Sequence, residues 1–405
     1  MSGSDRVRIG VAGIGGYAKT VRDSIERCAE ADLEAGRPTV ELAATCDPRP
    51  EDHTKVVEAL RGRGVEVFED YQRMLEAPID AVWLPVPIHL HRPFTEAAFD
   101  AGKAVVCEKP AAGTVEEVDA MIAARDAAGL AARIAYQHMH EARTPLIRRR
   151  LAEGAIGPIR RASVWGCWPR GDDYYARNDW AGALRRNGTW VLDSPMQNAM
   201  SHHLQLMLHF IGRPPAAVEA ELYRTRPIEN CDTVSLRLGF DGARAVVLMT
   251  HACSQWRDVE IVVEGESGRL TWTARQATLE DADGRTIESF DADPTSRPNI
   301  ARGLAAAVRG EPTDDLPGCT IEQARPPIVV TNAAAEAGPI HTLPDEAYEV
   351  IEENGVRAIN GIEAAFKRCA EEGLMLHESG ELPWTTAGRS IETRGYSRFA
   401  GPFNG

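Results

Sequence analysis

The chain has no apolar run long enough to cross a membrane, no CxxC pair, no excess of basic residues, no internal repeat and no low-complexity tract. Each absence removes a class of function. A spanning helix needs about 20 consecutive apolar residues, so a membrane partner is not expected. The eight cysteines are scattered singly, which reads as buried thiols of a reducing compartment rather than a metal or redox motif. A formal net charge of −15 argues against nucleic acid or an anionic membrane as partner. No signal-peptide stretch precedes the first strand-like run in "MSGSDRVRIGVAG", so a cytoplasmic protein is expected. A length of 405 residues suggests two or three domains.

What is present has a clear order. Through about residue 141, strand-like runs alternate with helical patterns: "RVRIGVAG", "TVELAATCD", "VEVFED", "DAVWLPVP", "AVVCEKP" and "AARIAYQHMH" are the strands. This alternation predicts a parallel, doubly wound α/β domain over residues 1–141, with a first helix from about Tyr17 to about Glu34. Residues 142–405 form a second domain by this reading. After the helix "TPLIRRRLAEG", successive strands without helices between them ("AVEAELYR", "DTVSLRLGF", "ARAVVLMTHAC", "VEIVVEG", "GRLTWTA") predict a mostly antiparallel sheet. Later helices are expected at "IARGLAAAVRG", at "IEQARPPIVVTNAAAEAG" (disturbed by Pro326 and Pro327), and through "EAYEVIEENGVRAINGIEAAFKRCAEEG", followed by an irregular tail.

"VAGIGGYA" places Gly13, Gly15 and Ala18 as GxGxxA between the first strand and its helix. Gly13 permits the tight turn, Gly15 lets backbone approach a pyrophosphate, and Ala18 lets helix and strand pack closely. The helix N-terminus supplies N–H groups for the anion. A dinucleotide is the expected ligand. Asp47 ends the second strand, where a carboxylate accepts from ribose hydroxyls and repels a 2′-phosphate, favouring NAD. The insertion "CAEADLEAGRPT" carries it beyond the usual spacing of about 20 residues. Arg49, two residues on, would suit that phosphate and keeps NADP open; the alternative for Asp47 is a turn residue before Pro48.

Glu108 and Lys109 follow an apolar strand in "AVVCEKP". Ligands of open parallel sheets sit beyond the carboxyl ends of the strands, so Lys109 is expected beside the nicotinamide end of the cofactor cleft, desolvated and fit for proton transfer. The alternative is a surface lysine before a turn proline.

With GxGxxA near the start, "VPIHLH", "AGKAVVCEKP", a later histidine helix and "VEGESGRL", the chain resembles the Gfo/Idh/MocA oxidoreductases over roughly residues 5–340. That resemblance implies an N-terminal Rossmann domain, a C-terminal α/β domain whose open sheet also serves oligomerisation (dimer or tetramer), and NAD(P)-dependent oxidation or reduction of a sugar, inositol or related polyol. The cofactor set it implies is Gly13, Ile14, Gly15, Gly16, Asp47, Arg49, Pro87, His91, Glu108 and Lys109. The family's catalytic lysine matches Lys109. Two further readings go with the fold: NAD-dependent glycoside hydrolysis through transient oxidation, and a non-catalytic cofactor-sensing protein.

The family pattern DxGxH falls on "NAMSH", which makes His202 the family histidine and puts Asn198 in the aspartate position and Met200 in the glycine position. An amide cannot take a proton at neutral pH, so Lys109 and His202 remain the acid/base candidates and Asn198 a positioning group. Asp193 is nearby but is read as holding local structure, and His203 as the weaker histidine. Ser194, Pro195 and Gln197 give an N-cap, a first-turn proline and a capping box, and Gly212 a stop. On one continuous helix Asn198, His202, Gln205 and His209 make a single polar stripe, expected to face the cleft.

For the substrate, "WGCWPRGDDYYARNDWAGALRRNGTW" supplies aromatic faces with Tyr175, Arg177, Asn178 and Trp180 to meet a hydroxylated ring. Without periodicity it reads as a loop, either over the cleft or in an oligomer interface. Gln137 and His138, at the end of the last Rossmann-type strand, either meet the substrate or join the domains. "HLH" and "HMH" do not make a convincing metal pattern, so no metal is expected.

Overall fold

The computed structural model describes residues 6–313 and 316–403. By contacts the chain falls into two units: Met1–Ala112 with Glu117–Pro145 and Asp293–Ala324, and Gly113–Glu116 with Leu146–Ala292 and Arg325–Gly405. The sequence places a single boundary near Glu141; the contacts put Asp293–Ala324 with the first unit.

The first unit is built on six parallel strands, β1 (Val7–Ala12), β2 (Val40–Cys46), β3 (Glu66–Phe68), β4 (Ala81–Leu84), β5 (Ala104–Cys107) and β6 (Ala132–Ile134), in the order β3-β2-β1-β4-β5-β6. β4 and β5 are apolar and buried at every position, as strands covered on both faces must be. The first helix runs Tyr17–Glu34, where the sequence puts it. Val21, Ile25 and Cys28, on one helical face, pack with Val7, Ile9 and Val11. Ile300, Ala301, Leu304 and Ala305, from the helix Ser296–Val308, complete that core. The strand order reverses between β1 and β4, the switch point where such sheets bind ligands. The last expected strand is shorter than predicted: β6 stops at Ile134, and Gln137–His140 form a 3-10 turn.

The second unit holds a ten-stranded sheet. Its order is Thr286–Asp291, Gln276–Asp281, Gly268–Trp272, Arg257–Gly265, Ile159–Cys167, Ala243–Thr250, Thr233–Phe240, Ala217–Arg224 and Ile340–Thr342, with Ser390–Glu392 also pairing to Ala217–Arg224. The sheet is mostly antiparallel, as expected; Ile159–Cys167 runs parallel to Ala243–Thr250, and Ile340–Thr342 parallel to Ala217–Arg224.

Three local readings are corrected. Residues 348–359 are a β-hairpin, not helix: Tyr348–Ile351 pairs with Val356–Ile359 around Asn354–Gly355, and Gly355 takes a φ of 67°. β-Branched residues flanking an Asn-Gly turn outweigh the helical spacing. Pro326 and Pro327 do not disturb their helix; they occupy the first turn of Arg325–Ala337, where no N–H is needed. The aromatic stretch is not one loop either. It contains the short helix Asp172–Ala176 and the hairpin Arg185–Arg186/Thr189–Trp190.

The segment beyond residue 340 has a structural task. Leu343, Ile359, Ile362, Phe366, Cys369 and Leu376 pack on Val246, Leu248 and Tyr223 of the sheet in one buried cluster. The sheet face that carries Val246 and Leu248 is therefore covered by the chain's own C-terminal segment. All eight cysteines are free and buried. Among the described residues no helix is long and apolar enough to cross a membrane.

Candidate active site

In the first unit, the chain leaves β1 and turns at Gly13, whose φ of 129° excludes most side chains. A Cβ on Gly13 would stand 3.1 Å from that of Ala18, so both residues must be small for the helix to sit on the strand. A Cβ on Gly15 would lie 2.8 Å from the His53 ring. Gly16 caps the helix Tyr17–Glu34. Arg22 lies buried behind this loop and donates to the carbonyls of Gly13 (3.1 Å) and Ile14 (2.8 Å); Thr45 Oγ1 also donates to Gly13 O (2.9 Å). With these carbonyls occupied and a guanidinium behind them, the turn suits a phosphate. Neither Arg22 nor His53 was identified from the sequence. Arg22 sits mid-helix with nothing local to mark it, and His53 reaches Gly15 only in the fold.

Asp47 Oδ2 accepts from Ile14 N (3.0 Å) and Oδ1 from Arg49 N (3.0 Å). Each oxygen keeps a second lone pair, the capacity needed for ribose hydroxyls. The exposed Arg49 side chain points to Asp52 at 3.4 Å. A 2′-phosphate beside Arg49 would thus meet the carboxylates of Asp47 and Asp52. The cradle and the acid fit NAD.

At the ends of β4 and β5, Pro87 caps the helix Ile88–Asp100. His91 is buried, with Nδ1 2.7 Å from Pro110 O and Nε2 2.9 Å from Val86 O. Burial pushes its pKa down to about 4 against the pull of those carbonyls; the neutral ring donates to one of the two, and only the protonated ring donates to both. Glu108 is buried and accepts from Trp83 Nε1 at 3.1 Å. Burial pushes its pKa up to about 7, with Lys109 pulling the other way. Lys109 is half-buried. Gln137 Oε1 accepts from Arg297 Nη2 at 2.7 Å, across 160 residues of sequence, and Arg297 Nε stands 3.5 Å from Tyr17 Oη. His138 Nδ1 lies 2.6 Å from Glu141 Oε1, whose other oxygen accepts from Arg143 Nε at 2.6 Å; all three residues are buried.

In the second unit, Ser194 caps as predicted, its hydroxyl accepting from Gln197 N (3.3 Å), and Gly212 stops the helix at a φ of 76°. The helix between them is not continuous. Pro195–Ala199 forms a wide turn of π type, Met200 breaks it, and the α-helix proper is Ser201–Ile211. Asn198 therefore lies off the α-helical stripe of His202, Gln205 and His209. That helix is buried on nearly all sides, with His209 alone half-buried. His202 is 8% exposed; His203 sets its ring edge-on to Trp168 and Trp272.

Asn198 Nδ2 donates to Asp193 Oδ1 at 2.8 Å, and Asp193 Oδ2 accepts from Gly182 N at 2.6 Å. The Asn198 amide is thus bonded to a buried carboxylate five residues earlier in the chain. Tyr175 Oη is 3.1 Å from His251 Nδ1, and Arg177 lies 3.5 Å over the Tyr174 ring, with Trp180 at 5.3 Å. Asn178 Oδ1 accepts from Trp180 N (3.1 Å) and Ala181 N (2.8 Å), which closes the turn that presents Trp180.

A family model described as an oxidoreductase family with an NAD-binding Rossmann fold matches residues 7–136, and one for the GFO/IDH/MocA C-terminal domain matches residues 146–271. The chain belongs to the Gfo/Idh/MocA family of NAD-binding oxidoreductases. It is 30% identical to a dTDP-3,4-didehydro-2,6-dideoxy-alpha-D-glucose 3-reductase from Streptomyces antibioticus over 167 residues, 40% of this chain and 47% of that one. It is 36% identical to a levoglucosan dehydrogenase from Pseudarthrobacter phenanthrenivorans over 104 residues, 25% of this chain and 27% of the other. These alignments span about half or less of each curated relative's length. The WlbA dehydrogenase of Bordetella pertussis, solved with NADH and UDP-GlcNAcA, shares the fold with a TM-score of 0.65 at 24% identity, over 81% of this chain and 96% of that one.

Proposed function

We propose that this chain is an NAD-dependent dehydrogenase or reductase acting on a hydroxyl-bearing carbon of a sugar or cyclic polyol. The observation that carries the reading is the cradle of the first unit, with Gly13, Gly15 and Gly16 braced by Arg22 and Asp47 bonded to the same loop. Sugar reductases and dehydrogenases among the relatives support the substrate class. Bound NAD would take or give the hydride. The chain's own residues handle the rest. Lys109 exchanges the hydroxyl proton, because an ammonium or amine at the carboxyl end of β5 can give or take it. His202 is the second proton carrier, because an imidazole can both give and take a proton. Asn198 orients the substrate: one hydrogen of its Nδ2 goes to Asp193, and an amide can meet a substrate hydroxyl as donor or as acceptor. Gln137, Tyr175, Arg177 and Trp180 complete substrate recognition. The protein works in the cytoplasm, as a homo-oligomer.

The test is nicotinamide absorbance with NAD or NADH against a panel of sugars, inositols and their keto forms. Turnover on at least one member is expected, and Lys109→Ala should lower it about 100-fold or more while NADH still binds. Absence of turnover across the panel, with NADH bound, would sink the reading.

A further inference from the structure

The second unit contains a cationic aromatic cluster that no reading of the sequence assembled. Ile159–Cys167 and Ala243–Thr250 are parallel neighbours, and the chain continues past both carboxyl ends with Trp168 N donating to Thr250 O (3.0 Å) and Arg170 N to His251 O (3.1 Å). The carboxyl end of a parallel strand pair is where α/β sheets place ligands. Arg170 stacks over Tyr174 (4.9 Å), Trp256 (5.7 Å) and Trp168 (5.9 Å), and Trp168 stacks on Trp256 at 4.8 Å. The His251 ring meets Tyr174 at 5.3 Å.

Three polar atoms of this cluster are buried without a hydrogen-bond partner among the described residues: Trp168 Nε1, Arg170 Nε and His251 Nε2. The first two are obligate donors. His251 is held well below its ordinary pKa by burial and then by Arg170, Arg177 and Arg226, so its ring is neutral. Tyr175 Oη lies 3.1 Å from Nδ1; in the tautomer that accepts there, the ring proton sits on Nε2 and the third group is a donor too.

Charge points the same way. Arg226 is neutralised, with Asp172 at 2.9 Å and Asp232 at 4.0 Å. No ion pair is formed by Arg170 or Arg177 among the described residues, although Arg177 also lies in the cluster over Tyr174. Buried donors around an uncompensated guanidinium cost stability unless an acceptor, and best an anionic one, arrives.

We propose that this cluster binds a carboxylate, and that the substrate is an acidic sugar or sugar acid held by Arg170, Trp168 and His251, with Arg177 beside it. A planar carboxylate matches the guanidinium fork, and the aromatic walls suit the apolar face of a sugar ring. This rests on the proposed sugar oxidoreductase activity but names the substrate more narrowly.

The test is tryptophan-fluorescence titration of the NADH-loaded protein with matched pairs: glucuronate against glucose, galacturonate against galactose, gluconate against glucitol. At least one acid should bind about tenfold tighter than its neutral partner. Arg170→Met should abolish that preference, and Arg170→Lys, which keeps the charge but loses Nε, should recover part of it; melting curves and NADH titration would show that both variants fold. If no acid outbinds its neutral partner in the wild-type protein, the proposal is wrong. Glucose 6-phosphate serves as a further ligand, and preference for it over every carboxylate would also overturn the assignment. Binding and turnover separate the two ideas. Preferred acids that are never oxidised or reduced would leave the carboxylate site standing but overturn its assignment to the substrate, and absence of turnover on every sugar tested would remove the oxidoreductase reading. Turnover of neutral sugars alone, without acid preference, would do the reverse.

Discussion

Asn198 Nδ2 lies 2.8 Å from Asp193 Oδ1. The amide is therefore paired with a buried carboxylate supplied from the strand-to-helix connection, and that pairing changes what a substitution at residue 198 will do.

Asn198→Asp would set two carboxylates at hydrogen-bond distance in a buried site, where they cannot both ionise. One pKa rises above its unfolded value, so its stabilising share is present at low pH and lost as pH rises through the raised value. The variant should melt close to wild type near pH 4 and lose roughly 1–3 kcal/mol by pH 8. Melting curves across that range decide it; a pH-independent difference would mean the two side chains do not interact.

Glu108 carries a second pH signature. Its pKa is pushed from 4.5 to about 7 by burial. A raised folded pKa gives a contribution that is full below the unfolded value and falls as pH climbs through about 7. Glu108→Gln removes this slope and can still accept from Trp83. Relative to wild type it should gain stability between pH 4.5 and 7, by at most about 3 kcal/mol. Urea unfolding at several pH values measures the gain, and parallel curves for the two proteins would contradict it.

Gly15→Ala tests the cradle. Its Cβ would stand 2.8 Å from His53, so the ring or the loop must move. NADH affinity should fall about tenfold or more. Adding His53→Ala should relieve the clash and restore the melting temperature, yet leave NADH weakly bound, because the new methyl still occupies the pyrophosphate approach. Full recovery of affinity in the double variant would show that the glycine serves only His53.

Arg22→Met should weaken NADH binding by about tenfold, since the guanidinium supplies charge-assisted bonds to the Gly13 and Ile14 carbonyls. Fluorescence titration of NADH reports it. Unchanged affinity would make Arg22 a purely structural brace.

Phe366→Ala addresses the C-terminal segment. Phe366 is fully buried between that segment and the sheet. Its truncation should cost about 3–5 kcal/mol, read by urea unfolding. A loss below about 1 kcal/mol would mean the cover is dispensable.

The elements that depend on short-range pattern were legible. Gly13 to Ala18 and the helix after them need only a local turn, a cap and a 3.6-residue period, and those are written in adjacent residues. In the first sheet, β4 and β5 announce themselves as buried apolar runs. The hairpin at 348–359 was missed because its period-two signal is short and sits among good helix formers; only the Asn354–Gly355 turn marked it. The break at Met200 was missed for the opposite reason. Ser194, Pro195 and Gln197 are sound start signals, and nothing local says that the first turn widens before the α-helix begins.

By itself, then, the sequence determined the two sheet architectures, the dinucleotide cradle and the family, because each rests on residues close along the chain and on burial that alternates with a fixed period. Tertiary structure alone decided which distant groups meet: Arg297 with Gln137, Trp168 with Thr250, and Arg170 with His251. The pairings of Trp168 and Arg170 follow from strand order and register. In a parallel neighbour pair, residues some 80 positions apart arrive side by side at the same strand end, and no local spacing records that they will.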